Sequence, residues 1–148
     1  MKTEMKNLQY DLIFRFGNMS KVYDEYAKAK KMTSFSLTVL ETIFELGDGC
    51  TQRQISDTIR YPKQSVNLAI KAFAEDGFIE LHEKPGNRRS KQIFFTPSGK
   101  EFCRKTVVPL LEKERFAISQ MKESDRQRLS ELLKEYGDLY CSSIKEII

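Results

Sequence analysis

The chain has 148 residues, 40% hydrophobic and 31% charged, with a formal net charge of +4. That length suits one domain with a fair core, and the apolar share is too high for a disordered chain. It contains neither a run of the roughly 18 apolar residues that a membrane span needs nor the apolar stretch of a signal peptide, so no membrane partner and a cytoplasmic location are expected.

In chain order, the first predicted element is a helix over Met5–Lys30. Leu8, Leu12, Phe16, Met19, Tyr23 and Tyr26 recur every three or four residues, with Ile13 and Ala27 widening the stripe. Gly17 inside it costs about 1 kcal/mol relative to alanine. A stripe this wide must pack on something. Thr33 caps a second predicted helix that runs to about Leu46, with Leu37, Leu40, Ile43 and Phe44 facing inward. Gly47-Asp48-Gly49 ends it.

Thr51 followed by Gln54 has the spacing of a capping box, so a third helix starts after Thr51, with Ile55 and Ile59 on one face. Tyr61-Pro62 breaks the pattern. The residue before a proline leaves the α region, and proline suits the start of a helix, so one helix ends near Arg60 and another begins near Pro62. In this fourth helix Val66, Ala69, Ile70 and Phe73 form one buried stripe, and Gly77 suits a left-handed cap. The opposite face presents Lys63, Gln64, Ser65, Asn67, Leu68 and Lys71. Asn and Gln pair bidentately with adenine edges, Ser bonds several bases, and an apolar tip meets the thymine methyl, while the lysines suit phosphates. The competing reading is an ordinary solvated helix face.

Two strands are predicted next, Phe78–His82 and Lys91–Thr96, joined by a loop with a Pro-Gly turn. Lys84, Arg88, Arg89 and Lys91 crowd this loop. Folding does not need like charges at a hairpin tip, whereas a polyanion would explain them, and an arginine there can enter a narrow minor groove. A charged, solvated loop is the alternative. Between Thr51 and Lys91 there are eight Lys and Arg against five Asp and Glu, so most of the net charge falls on this segment.

Thr96-Pro97 pairs an N-cap with a proline at the first helical position and opens a long helix to about Met121, with Pro109 expected to kink it. Ser124 and Gln127 have capping-box spacing before a last helix whose stripe is Leu129, Leu132, Leu133, Tyr136, Leu139, Tyr140 and Ile144. Cys50, Cys103 and Cys141 lie far apart and there is one histidine, so no metal site is expected. No nucleophile–base pair or Gly-rich phosphate loop stands out, so neither a catalytic residue nor a cofactor is expected. Oxidant sensing by one of the thiols stays open.

The segment from Met32 to Glu114 resembles the MarR family of bacterial transcriptional regulators. The resemblance lies in MTSFSLTVLETIFELG, TQRQISDTI, PKQSVNLAIKAFAEDGFIEL and NRRSKQIFFTPSGKEF. The last block is the most specific, a basic wing followed by Thr-x-x-Gly at the start of a long helix. Two positions depart from the family pattern: Asn87 where the wing signature Asp-x-Arg begins, and Leu68 where many members carry a polar or basic residue. Arg89 matches the signature arginine.

The fold expected is therefore mainly α with a small β-hairpin, a winged helix-turn-helix carrying N- and C-terminal dimerisation helices. Residues 32–97 form the DNA-binding unit of a single MarR-like domain, 1–148, with 5–30 and 98–148 as dimerisation helices. The function expected is a homodimeric transcriptional regulator on a pseudo-palindromic operator in double-stranded DNA. Gln64, Ser65 and Asn67 would meet bases, Lys63, Lys71, Arg88 and Lys91 the backbone, and Arg89 the minor groove. The resemblance also implies a small-molecule effector pocket, for which Tyr10, Phe14 and Phe16 are candidates if they are not plain core. The rival function is a winged-helix module that binds another protein and no DNA.

Overall fold

The computed structural model describes the chain apart from Pro85 and the side chains of Lys84, Asn87, Arg88 and Arg89. Its elements are α1 (Lys2–Ala29), α2 (Ser34–Leu46), β1 (Cys50–Thr51), α3 (Gln52–Ile59), α4 (Lys63–Glu75), β2 (Ile79–Lys84), β3 (Asn87–Phe95), α5 (Pro97–Ser119) and α6 (Glu123–Lys145). They fall into two compact units, Met1–Val108 and Pro109–Ile148.

In the first unit the core is a meeting of one-sided elements. Leu37, Leu40 and Ile43 of α2, Ile55 of α3, and Val66, Ile70 and Phe73 of α4 are buried together with Ile79 and Ile93 of the sheet and Val107 of α5. The three-to-four spacing on each helix is what lines these residues up. Phe44 departs from expectation and is 37% exposed. Helix α2 is instead buried around much of its girth, Val39 and Thr42 included, and Phe44 falls in its last turn beyond the packed section.

Helix ends are set by chemistry that the residues announce. Thr33 accepts from the Ser36 amide at the start of α2. Thr51 and Gln54 form the reciprocal capping box of α3. The end of α4 is a Schellman closure: the Gly77 amide donates to Ala74 and that of Phe78 to Phe73, with Gly77 at φ +74°. At the start of α5 the Thr96 hydroxyl oxygen accepts from the Gly99 amide at 3.0 Å.

The sheet has three antiparallel strands in the order β1-β3-β2. Cys50 pairs with Ile93, and Ile79 to Glu83 run against Phe95 to Lys91 before the register shifts and Lys84 meets Asn87. The sequence predicted two strands ending at His82 and starting at Lys91, with a loop between. Ladder pairing carries both strands further, so the basic segment is largely strand, and the two-residue β1 was missed. The expected turn at Pro85 lies outside the described residues.

Helix α1 is tied down only along its last turns. Ala27 is fully buried, the Tyr23 hydroxyl bonds Thr38 at 3.0 Å and also meets Glu41, and the Tyr26 hydroxyl donates to the Thr106 carbonyl at 2.7 Å. Before these, Met5, Leu8, Ile13, Phe14, Phe16 and Met19 all stand exposed.

The second unit holds the last part of α5, from Pro109, and α6, of which no residue is buried. The capping box predicted at Ser124 does not form. Helix α6 begins one residue earlier, after Lys122, so Ser124 lies within the first turn, and Gln127 instead donates to Glu131 at 3.2 Å. Glu123 and Asp125 set the early start by complementing the positive end of the helix dipole.

Candidate nucleic-acid interface

Between α4 and the β2–β3 hairpin lies a cleft of about 530 Å³. Thr51, Gln52 and Arg53 line it from the start of α3, Lys63, Asn67 and Lys71 from α4, and Ser90 and Lys91 from β3. Four of these side chains are cationic, and no carboxylate lines it. Field lines concentrate in such a low-dielectric slot, which makes it attractive to a polyanion.

The α3–α4 turn is held tightly enough to fix the angle between the two helices. Arg60 takes a left-handed φ of 58°, which only a hydrogen-bonded or packed turn sustains in a non-glycine residue. The Ser56 hydroxyl supplies the bond, donating to the Tyr61 carbonyl at 2.6 Å, and the Tyr61 ring lies 4.8 Å from that of Phe35. Gln52 then bridges the two helices: its Nε2 donates to the Lys63 carbonyl at 2.7 Å, and its Oε1 accepts from Asn67 Nδ2 at 3.0 Å.

The residues singled out on α4 are placed as follows. Lys63, Gln64 and Lys71 are exposed, Ser65 and Asn67 half-buried, and Leu68 is 63% exposed. Lys91 is exposed on β3 opposite Glu83. Lys63, Asn67, Lys71 and Lys91 come together at the cleft. The side chains of Arg88 and Arg89 lie outside the described residues. Sequence reasoning missed Gln52 and Arg53. Both were read as interior residues of a capped helix, and the one available signal was their place at the helix start, where side chains point past the cap. Tyr10, Phe14 and Phe16 are 60%, 67% and 45% exposed on α1, so they are not core of this chain.

The thiols divide by environment. Burial pushes Cys50 up to about 11, with nearby Asp48 adding to the effect, and burial pushes Cys103 up to about 12. Cys141 is exposed on α6. Since the thiolate is the reactive form, a thiol reagent at neutral pH is expected to leave Cys50 and Cys103 unmodified in the folded protein and to take both only after denaturation. Rapid labelling of either in the native state would show that the first unit opens readily.

No family model matches the chain. It is 24% identical over 104 residues to the HTH-type transcriptional regulator BilQ of Clostridium symbiosum, an alignment covering 69% of this chain and 72% of that one. Among solved structures it is similar to NMB1585, a MarR family regulator from Neisseria meningitidis, with a TM-score of 0.77 at 23% identity, covering 93% of this chain and 96% of that one. It is also similar to MepR of S. aureus in its complex with DNA, with a TM-score of 0.68 at 22% identity over 88% of this chain and 97% of that one. The helix-turn-helix, its flanking three-stranded wing and these likenesses agree: the chain has the winged helix-turn-helix fold of the MarR-family regulators.

Proposed function

We propose that the protein is a DNA-binding transcriptional regulator that acts as a homodimer on a pseudo-palindromic operator. The observation that carries this reading is the cationic cleft between α4 and the wing, with Lys63, Lys71 and Lys91 on its walls. Helix α4 enters the major groove, with Gln64, Ser65 and Asn67 toward base edges. The lysines and Arg88 take phosphates, and Arg89 reaches the minor groove at the wing. Support comes also from the MepR structure, which is a DNA complex of the same fold.

The test is binding of the purified protein to a random duplex pool, followed by titration of a selected site at several salt concentrations. Six phosphate contacts give a log–log salt slope of roughly −5. A flat salt response, or failure to bind any duplex in dilute buffer, sinks the reading and favours an interaction module instead.

The dimer rests on apolar surface. Leu132, Leu133, Tyr136, Leu139 and Tyr140 are 42–59% exposed along α6, and Leu8, Ile13, Phe14 and Met19 51–69% exposed along α1. Soluble monomers rarely leave such stripes in water. Pairing through α1 and α6 covers them and presents two α4 helices about one DNA turn apart, ~34 Å. A chain stopped at Lys122 is expected to run as monomers or aggregates in light scattering. A well-behaved dimer from that truncation removes α6 from the interface. An effector pocket involving Tyr10, Phe14 and Phe16 fits this arrangement, because a partner helix would cover them.

A further inference from the structure

We propose that Gln52 is a positioning residue for base readout: it fixes the amide of Asn67 so that the edge left free selects an adenine. The proposal rests on the DNA-binding reading above and names how one position of the site is read.

The orientation follows from what each atom can do. The Lys63 carbonyl oxygen only accepts, so the Gln52 group 2.7 Å from it must be the amide nitrogen. That turns Gln52 Oε1 toward Asn67, and an acceptor there requires the Asn67 nitrogen to face it, at 3.0 Å. Two amides whose ends are alike in shape are thereby each given one orientation by a single backbone carbonyl.

Once Asn67 has spent one N–H on Gln52, its carbonyl oxygen and second N–H remain. Adenine offers the complement in the major groove, an N6–H donor beside the N7 acceptor. Guanine offers two acceptors there, and cytosine and thymine do not offer that pair. All three side chains line the cleft, with Asn67 half-buried there, whereas Gln64 on the same helix stands exposed. Released from Gln52, the Asn67 amide can rotate to meet a single polar atom on other bases, and adenine loses its advantage.

The experiment compares wild type, Asn67→Ala and Gln52→Met, each as the full chain, by selection from a random duplex pool and by titration of the selected site with single-base changes. Methionine keeps the length of Gln52 and removes both bonds. The expected result is an adenine preference at one position of each half-site in wild type, lost in Asn67→Ala and lowered about tenfold in Gln52→Met. Preferences at other positions and the salt slope stay unchanged. Should Gln52→Met melt early, Gln52→Asn, an amide one methylene too short to span both partners, is expected to give the same single-position loss. An adenine preference kept in full without Gln52 overturns the proposal while DNA binding stands, and so does a loss spread evenly over all positions, which marks a mere brace between helices. A wild-type protein that binds no duplex overturns the proposal together with the DNA-binding reading.

Discussion

Gly99→Ala is expected to destabilise the protein by ~3 kcal/mol or more, at the upper end of the cost of overpacking, and to lower the melting temperature by about 10 °C. Ordinarily the sign is opposite, since alanine is favoured over glycine inside a helix by about 1 kcal/mol. Here a Cβ on Gly99 would lie 1.8 Å from the Phe78 carbonyl oxygen and 2.8 Å from its carbon. That carbonyl cannot swing aside cheaply. It accepts from the Thr96 amide at 3.1 Å and the Thr96 hydroxyl at 3.2 Å, and the Phe78 ring stacks on Phe102 at 4.2 Å. Relief therefore means parting the start of α5 from the start of β2, which breaks the Thr96 cap and loosens the base of the wing. Gly17→Ala is the control: no atom lies within 4 Å of the added carbon, so it is expected to raise stability by about 0.5–1 kcal/mol. A Gly99→Ala protein that melts at or above wild type would falsify the close-approach account. Thermal unfolding by circular dichroism measures both.

Much of this architecture could be read from the residues because it is written in short-range chemistry. The stripe Val66, Ala69, Ile70 and Phe73 is a single helical period, and it is buried as that period requires. The Thr51–Gln54 box and the Gly77 closure are local bonds between groups a few residues apart. What the sequence hid is long-range. Strand β1 is two residues, too short to alternate, and exists only because Ile93 and Gln92 present a free edge to it. The Gln52–Asn67 bond joins residues 15 apart on different helices, so no pattern announces it. The Thr-x-x-Gly signal was visible, but its cause was not, because the clash that demands glycine comes from a carbonyl on the far side of the hairpin. Two local readings also failed for local reasons. Ser124 lost its capping role to an earlier helix start, and Phe44 fell beyond the packed part of α2. The candidate site was legible in its α4 residues, whose spacing puts them on one face. It was illegible in those contributed by α3.

Reversing two charges of the cleft, Lys71→Glu with Lys91→Glu, is expected to lower affinity for duplex DNA by ~100-fold near 0.1 M salt, for cognate and random sequences alike. The size follows from counterions. Each phosphate neutralised releases about 0.9 condensed ions, so into roughly 0.1 M salt each contact contributes close to one decade in the binding constant. Two lost contacts account for nearly two decades, and the introduced carboxylates add repulsion. The same count predicts a log–log salt slope shallower by about 2. Stability should barely move: both lysines are exposed, and an exposed cation contributes ~0–1 kcal/mol through any surface pair. Binding and folding therefore separate cleanly in this variant. The pattern also tells phosphate contacts from base contacts, because a lysine that reads a base would weaken one sequence and spare the rest. Fluorescence anisotropy on one selected and one scrambled duplex, each at four salt concentrations, measures affinity and slope together. An unchanged slope in the double variant would place the DNA elsewhere on the protein and leave the cleft without its proposed occupant.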